Sequence, residues 1–99
     1  MLSLPLEETM DLMKLKVAGG SNPKSVAGSI ANNIREKKDI EITVMGPNAV
    51  NCAMKAIAIA REFIAEDNID LVCRPEFTHL ELDGEQKSAM KLIITATTK

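Results

Sequence analysis

The residues best suited to bind a ligand form a short run, GGSNPKS at positions 19–25, between a strand-like and a helix-like pattern. Glycine-rich backbone before a helix offers free N–H groups and the positive end of the helix dipole to an anion. The run adds one lysine and two hydroxyl groups. Its spacing matches neither the phosphate-loop pattern GxxxxGK[ST] nor the dinucleotide pattern GxGxxG. Two interpretations stay open: a capped helix start, and a site that contacts an anion or a nucleic acid.

Other groups that catalyse reactions or hold metals lack partners at a useful spacing. His79 is the only histidine, and no GxSxG, HExxH or paired-carboxylate arrangement accompanies it. Cys52 and Cys73 stand apart, without a second Cys or a His at metal-ligand spacing, so we interpret both as small buried apolar residues. The acidic residues around position 83 lack calcium-loop spacing, which indicates an exposed acidic turn. We therefore expect no enzyme activity, no metal and no cofactor.

Length and composition limit the classes of protein that fit. Ninety-nine residues make one small domain, and 45% apolar with 26% charged residues is typical of a globular chain. The only aromatic residues are Phe63 and Phe77, which excludes modules that stack bases on exposed rings. The formal net charge is −2, so any nucleic-acid binding must come from local patches.

No part of the sequence has the pattern of a membrane segment. The longest apolar stretch, residues 56–60, is far below the ~20 residues that a membrane helix needs. The N-terminus has no basic start followed by an apolar run. We expect a cytoplasmic protein that does not contact membranes.

Alternating and helical patterns predict the elements that position the run at 19–25. Apolar residues alternate with charged ones over residues 13–17 and 40–44, which is typical of strands with one buried face. Pro23 is well placed as a first helical residue, and apolar residues at 26, 30 and 34 extend that helix to about Lys37. A second helix begins at Pro47. We therefore expect the run at 19–25 to link a strand to a helix.

The last third of the chain has the pattern of a β-hairpin. Strands are predicted over residues 69–82 and 90–96, and Asp83-Gly84 between them is the strongest hairpin signal in the sequence. Pro75 and a change of alternation phase predict a bulge or bend near residues 75–78.

These elements define an α+β fold of order βαβαββ, a two-layer sandwich with both helices on one face of a mixed four-stranded sheet. Right-handed crossovers make the first three strands parallel, and the hairpin makes the fourth antiparallel. The loops after the first two strands and the hairpin tip at Asp83-Gly84 must then emerge at the same edge of the sheet. Ligands are usually received at that carboxyl edge.

The second helix has more apolar surface than one sheet face can cover. Its polar stripe consists only of Asn51, Lys55 and Glu62, with Arg61 to one side. The commonest partner for such a surface is an identical helix across a two-fold axis, so we expect a homodimer. The residues predicted for this dimer interface are Ile59, Phe63, Cys52 and Ala56.

Four short motifs give the chain a family resemblance. They are SVAG at 25–28, AVN at 49–51, KAIAIAR at 55–61 and DGE at 83–85. Together they resemble the stage V sporulation protein S family over nearly the whole chain from Met13 onward. The resemblance implies a cytosolic regulator of sporulation. We accordingly expect residues 1–12 to be an N-terminal extension and residues 13–99 to be the domain.

The βαβαββ order is also similar to that of the Alba chromatin proteins and of the C-terminal domain of a bacterial translation initiation factor. The Alba resemblance implies that the start of the second helix, residues 46–53, packs in a dimer, and that DNA or RNA binds through the loop before the first helix and the hairpin arms. The corresponding residues of this chain are Ser21, Asn22, Lys24, Ser25, Asn48, Asn51 and Lys55.

Three functions remain in competition at this point. The first is a dimeric, non-catalytic regulator that binds nucleic acid. The second is a protein-interaction module in sporulation control that does not bind nucleic acid. The third is a sensor of a small anion or nucleotide at the two glycine-containing loops.

Overall fold

The computed structural model describes residues 11–98, which fold in the order βαβαββ. The helices are α1 (Pro23–Arg35) and α2 (Pro47–Ile64), and a short 3-10 helix, Ala65–Asp67, follows α2. The four strands are β1 (Leu12–Lys16), β2 (Asp39–Val44), β3 (Ile69–Leu82) and β4 (Glu85–Thr98). The predicted α+β class and element order are thus confirmed.

Three element boundaries differ from the sequence prediction. Most of the predicted N-terminal extension, residues 1–12, lies outside the described residues, and β1 already begins at Leu12. Helix α1 ends at Arg35, two residues early, because Lys37 adopts a left-handed conformation (φ 66°) that reverses the chain. Strand β4 starts at Glu85, five residues before the alternating pattern begins.

The sheet has the strand order β1-β2-β4-β3. Strand β1 pairs with β2 in parallel, and β4 pairs antiparallel with both β2 and β3. The first three strands therefore point the same way, as predicted. Strand β4 lies between β2 and β3, which makes β1 and β3 the two edge strands.

The core lies between the sheet and the two helices. Every second residue of β2, namely Ile40, Ile42 and Val44, is buried at 1% exposure or less. Helix α2 faces the core mainly with alanines, and these small side chains let it pack closely on both α1 and the sheet. The fully buried alanines of α2 are Ala53, Ala56 and Ala60.

The predicted bulge in β3 is wrong. Pairing between β3 and β4 runs without interruption from Ile69 opposite Thr98 to Leu82 opposite Glu85. Pro75 fits into this ladder because β3 is an edge strand, where one side of the backbone needs no partner. The change in alternation arises because β2 pairs only with residues 90–94 of β4. Beyond them, residues 78–89 form a two-stranded arm, where neither face has to be apolar.

The arm ends in the predicted two-residue turn. Asp83 (φ 54°) and Gly84 (φ 79°) both have positive φ, the combination that a type I′ turn requires. We expect Gly84→Val to destabilise the protein by roughly 1 kcal/mol or more, because a β-branched residue is strained at that φ. Thermal unfolding of the variant measures this effect. An unchanged melting temperature would show that the turn does not depend on this conformation.

Candidate nucleic-acid interface

The start of α1 is a capped helix N-terminus. The side chain of Asn22 accepts hydrogen bonds through Oδ1 from the backbone N–H groups of Lys24 (2.9 Å) and Ser25 (3.4 Å). Pro23 occupies the first helical position, where its missing N–H costs nothing. The capping interpretation therefore holds for Asn22. The side chains of Lys24 and Ser25 are exposed in the first turn.

Ser21 holds the loop between β1 and α1 in shape. Its hydroxyl Oγ accepts a hydrogen bond from the backbone N–H of Ala18 (3.0 Å), and its own N–H donates to the Ala18 carbonyl (3.1 Å). The carbonyl of Ser21 accepts a hydrogen bond from Sγ of Cys52 in α2 (3.2 Å). This contact joins the loop before α1 to the first turns of α2.

A second close approach brings the same two segments together at Gly19. A Cβ atom added to Gly19 would lie only 2.8 Å from Cβ of Asn48, so a larger residue here would displace the first turn of α2. Glycine at this position lets the backbone of the loop pack directly against the helix. The predicted meeting of the two strand-to-helix segments at one sheet edge is confirmed.

Between these segments lies a shallow cavity of about 220 Å³, which we call the loop groove. Its lining residues are Gly19, Ser21, Pro23, Asn48, Asn51, Cys52 and Lys55. Of the seven residues predicted for nucleic-acid contact, the structure brings four into this groove. The other three, Asn22, Lys24 and Ser25, occupy the adjoining start of α1 without lining it.

The electrostatic environment of the loop groove favours an anion. Within residues 11–98, the first turns of α1 and α2 contain no acidic residue. No carboxylate of the same region lies within ion-pair distance of Lys24 or Lys55. Gly46 precedes α2 and has no side chain to cap it, so the first N–H groups of α2 stay available. The uncapped N-terminus of α2, the capped start of α1 and two lysines therefore meet at this edge.

The residues predicted for the dimer interface do not share one surface. Cys52 and Ala56 are 5% and 0% exposed, so they belong to the core of a single chain, and their placement at an interface is corrected. Ile59 is half-buried and Phe63 is 43% exposed. Arg35 binds next to Phe63, donating from Nη2 to its carbonyl (2.7 Å) and from Nε to Asp67 (2.9 Å).

The prediction that both cysteines are buried is confirmed for Cys52 and wrong for Cys73, which is exposed on the edge strand β3. The placement of Cys52 at an interface was wrong because helical periodicity alone does not show what lies beside a helix flank. Asn51 and Lys55 were recognised as polar surface, and Cys52 stands on the border of that stripe. Its thiol is a weak hydrogen-bond donor, which is what allows it to bind the Ser21 carbonyl from a buried position. Its position at the border of the polar stripe was the only signal in the sequence.

The arm carries the opposite charge to the loop groove. Its turn region contains three exposed carboxylates, Glu81, Asp83 and Glu85, against one lysine, Lys87. Glu85 and Lys87 pair with each other at 3.1 Å. The predicted exposed acidic turn is confirmed, and the arm tip is repulsive to phosphate.

Among residues 11–98, no three His, Cys, Asp or Glu side chains cluster in a way that could hold a metal ion. In that region, neither helix is long and apolar enough to span a membrane.

Comparisons with known proteins agree with this fold. Residues 13–97 match the family model of stage V sporulation protein S. Among solved structures, Alba from Thermoplasma volcanium superimposes with a TM-score of 0.58 at 13% sequence identity, over 88% of this chain and 99% of the other. At that identity the likeness concerns the fold.

Proposed function

The chain belongs to the stage V sporulation protein S family and has an Alba-like fold, and we propose that it is a dimeric, non-catalytic regulator of sporulation that binds nucleic acid in the cytoplasm. The proposed contacts are to phosphates, at the loop groove and the adjoining start of α1. The observation that carries this proposal is the convergence of two lysines and the uncapped N-terminus of α2 beside the capped start of α1. Among the described residues, neither the lining of the loop groove nor the first turn of either helix contains a carboxylate.

The chemistry of this edge suits phosphate oxygens. Backbone N–H groups at a helix start and lysine ammonium groups are both common partners of phosphate. Asn48 and Asn51 add amide donors within the loop groove. A dimer contains two copies of each phosphate-binding group, so two copies of Lys24 and Lys55 would contact one nucleic acid.

Binding is expected to be weak and non-specific in sequence. Two phenylalanines provide no stacking platform, and neither helix is presented as a recognition helix. The net charge of −2 opposes approach to a polyanion. We expect a dissociation constant on the order of micromolar at physiological salt.

The alternative function, a protein-interaction module, is favoured by one separate observation. The arm extends the β3–β4 ribbon beyond its pairing with β2 and has an acidic tip. An arm that binds along a nucleic acid would need to be basic. A tip of this charge suits a partner protein with a basic surface.

A salt-series titration with labelled DNA, RNA and free nucleotides tests the proposal. If four to six phosphates are neutralised, affinity should fall by about 100- to 1,000-fold between 50 and 200 mM salt. Fluorescence anisotropy at each salt concentration measures the slope.

The three competing functions give different outcomes in this titration. Absence of binding to every DNA and RNA at 50 mM salt would contradict the proposal and leave the protein-interaction module. Binding of free nucleotides alone would instead favour the sensor of small anions. A shallow salt slope would show that the contacts are not mainly to phosphates.

A further inference from the structure

A second cavity lies on the face of the sheet that the helices leave open, and we call it the open-face cavity. Its volume is about 300 Å³, and its lining includes Lys16, Ala18, Ser21, Thr43, Met45 and Leu80. Lys16 and Thr43 are cross-strand partners on β1 and β2. Each precedes a residue whose side chain is buried in the core, so their own side chains project away from the helices. The cavity therefore lies at the carboxyl ends of β1 and β2, beside the base of the arm.

Leu80 is the wall that the arm contributes to this cavity. Leu71 of β3 is buried in the core, and the unbroken ladder places residues at odd intervals from it on the opposite face of the strand. Leu80 therefore projects from the open face. It is half-buried, whereas its neighbours His79 and Glu81 are exposed. The change of alternation phase in β3 thus turns an apolar side chain of the arm towards the open-face cavity.

Two lysines flank Thr43 on the open face. Lys16 of β1 and Lys91 of β4 are the cross-strand partners of Thr43 on its two sides. Neighbouring strands lie about 4.8 Å apart, so about 10 Å separates the two lysine Cα atoms. Lysine side chains are long, and an anion bound above Thr43 is therefore within reach of both ammonium groups.

The carboxylates next to these lysines in the sheet have cationic neighbours of their own. Glu76, the partner of Lys91 on β3, forms an ion pair with Arg74 at 3.1 Å. Glu41 of β2 lies directly opposite Lys14 of β1. No carboxylate of residues 11–98 lies within ion-pair distance of Lys16 or Lys91. The charges of these two lysines are therefore available to an anionic ligand.

The lining combines apolar walls with a few polar groups, as ligand pockets do. Such pockets have volumes of about 300–1,000 Å³, so the open-face cavity is at the small end of the range. Ala18, Met45 and Leu80 offer apolar contacts, and the hydroxyl of Thr43 can donate and accept a hydrogen bond. A fitting ligand has a small apolar body and an anionic group at its edge. A nucleotide has both parts, since its base presents two flat faces and its phosphate is an anion.

The open-face cavity adjoins the loop groove. Ser21 lines both of them, so the loop at residues 18–21 separates one from the other. The two hydrogen bonds between Ser21 and Ala18 fix the shape of this loop. A nucleic-acid strand that crosses the loop can place a phosphate in the loop groove and a neighbouring base in the open-face cavity.

We propose that the open-face cavity receives one unstacked base of a bound nucleic acid, so that the protein prefers single strands to duplexes. This inference deepens the proposed function and rests on it. The bases of a duplex are stacked and paired, whereas those of a single strand can turn outwards. Aliphatic side chains can contact the faces of such a base, so the cavity needs no aromatic ring.

Titrations with a single strand and with the duplex of the same sequence test this inference. We expect the single strand to bind at least about tenfold more tightly at 50 mM salt, because a duplex must unpair and unstack a base to fill the cavity. Phosphate contacts alone predict the opposite order, since a duplex has the higher charge density. Fluorescence anisotropy measures both dissociation constants.

Leu80→Asn removes the apolar wall of the cavity without changing the charge. We expect it to lower the affinity for the single strand by about five- to tenfold and to leave the affinity for the duplex unchanged. Met45→Asn should have the same effect, at a residue that is 41% exposed. Circular dichroism checks the fold of both variants, and Met45→Asn carries the test if Leu80→Asn does not fold.

Leu82→Asn is the matched control. It makes the same change two residues further along the same face of β3, at a residue that is 42% exposed and does not line the cavity. Both affinities should stay unchanged in this variant. Lys24→Glu should instead lower both affinities, because single strands and duplexes share the phosphate contact that it removes.

Three results would overturn the inference and leave the phosphate contacts standing. They are equal affinities of the unaltered protein for single strand and duplex, equal effects of Leu80→Asn and Leu82→Asn on the single strand, and free nucleoside monophosphates that bind as tightly as the strand. Absence of binding to any nucleic acid would contradict the proposed function together with this inference. The two failures are therefore distinguishable.

Discussion

Lys24→Glu is expected to lower the affinity for nucleic acid by at least about 100-fold at 50 mM salt, which places binding beyond detection at physiological salt. Each dimer would lose two phosphate partners and gain two carboxylates beside the loop groove. Lys24 is exposed and forms no ion pair with the described residues, so its charge is free to contact phosphate. Anisotropy titrations of the variant and the unaltered protein measure the difference.

The fold should survive this substitution. Lys24 follows Pro23 in the first turn of α1, where a carboxylate interacts favourably with the helix dipole by about 0.3–1 kcal/mol. The melting temperature should therefore stay the same or rise slightly, and the mass should not change.

Lys37→Glu is the matched control for charge. It makes the same change in net charge just beyond the other end of α1, about 20 Å away, at an exposed residue. Its affinity should fall only by the small amount that the added negative charge of the whole protein causes. Equal losses in both variants would mean that net charge, rather than the start of α1, governs binding. Unchanged affinity in Lys24→Glu would contradict the proposed interface.

Ile42→Ala is expected to produce the largest loss of stability of the substitutions considered. Ile42 is 0% exposed in β2, where it lies opposite Leu15 of β1 and Leu92 of β4. Truncation removes buried methyl groups and leaves a cavity that the paired strands on both sides cannot close, at a cost of about 2–5 kcal/mol. The free energy of unfolding of a domain of this size is only about 5–15 kcal/mol in total, so the melting temperature should fall by about 10 °C or more.

Thr43→Ala is the control for the effect of placing an alanine in β2 without removing a core side chain. Thr43 is the next residue of β2, half-buried on the face away from the helices, and its loss should cost less than about 1 kcal/mol. Chemical denaturation of the two variants measures the difference. Similar losses would show that the two faces of β2 are equally important, which contradicts a core on one side of the sheet.

The site illustrates what local patterns reveal and where they stop. The sequence indicated Asn22 and Pro23 as a helix start, because capping depends on residues only a few positions apart. It did not indicate that Ser21 binds Cys52 or that Gly19 contacts Asn48, since these contacts join residues about thirty positions apart. The sequence predicted only that the loop before α1 and the start of α2 lie at the same edge of the sheet. The individual contacts between them depend on how α2 packs.

By itself, the sequence determined the elements of this protein, their order and their directions. Alternation, helical spacing and the Asp83-Gly84 turn act through neighbours along the chain, and right-handed crossovers then leave one direction for each parallel strand. Family membership followed from the same local motifs.

Only the tertiary structure decided the place of β4 between β2 and β3, the unbulged ladder through Pro75 and the exposure of Phe77. An apolar residue in a strand has the same pattern whether a helix covers it or not. Coverage depends on how far α2 extends across the sheet, and that distance is set by packing between segments that are remote in sequence. For this reason helical periodicity placed Cys52 and Ala56 on a dimer surface, whereas the packing of the folded chain buries both in its core.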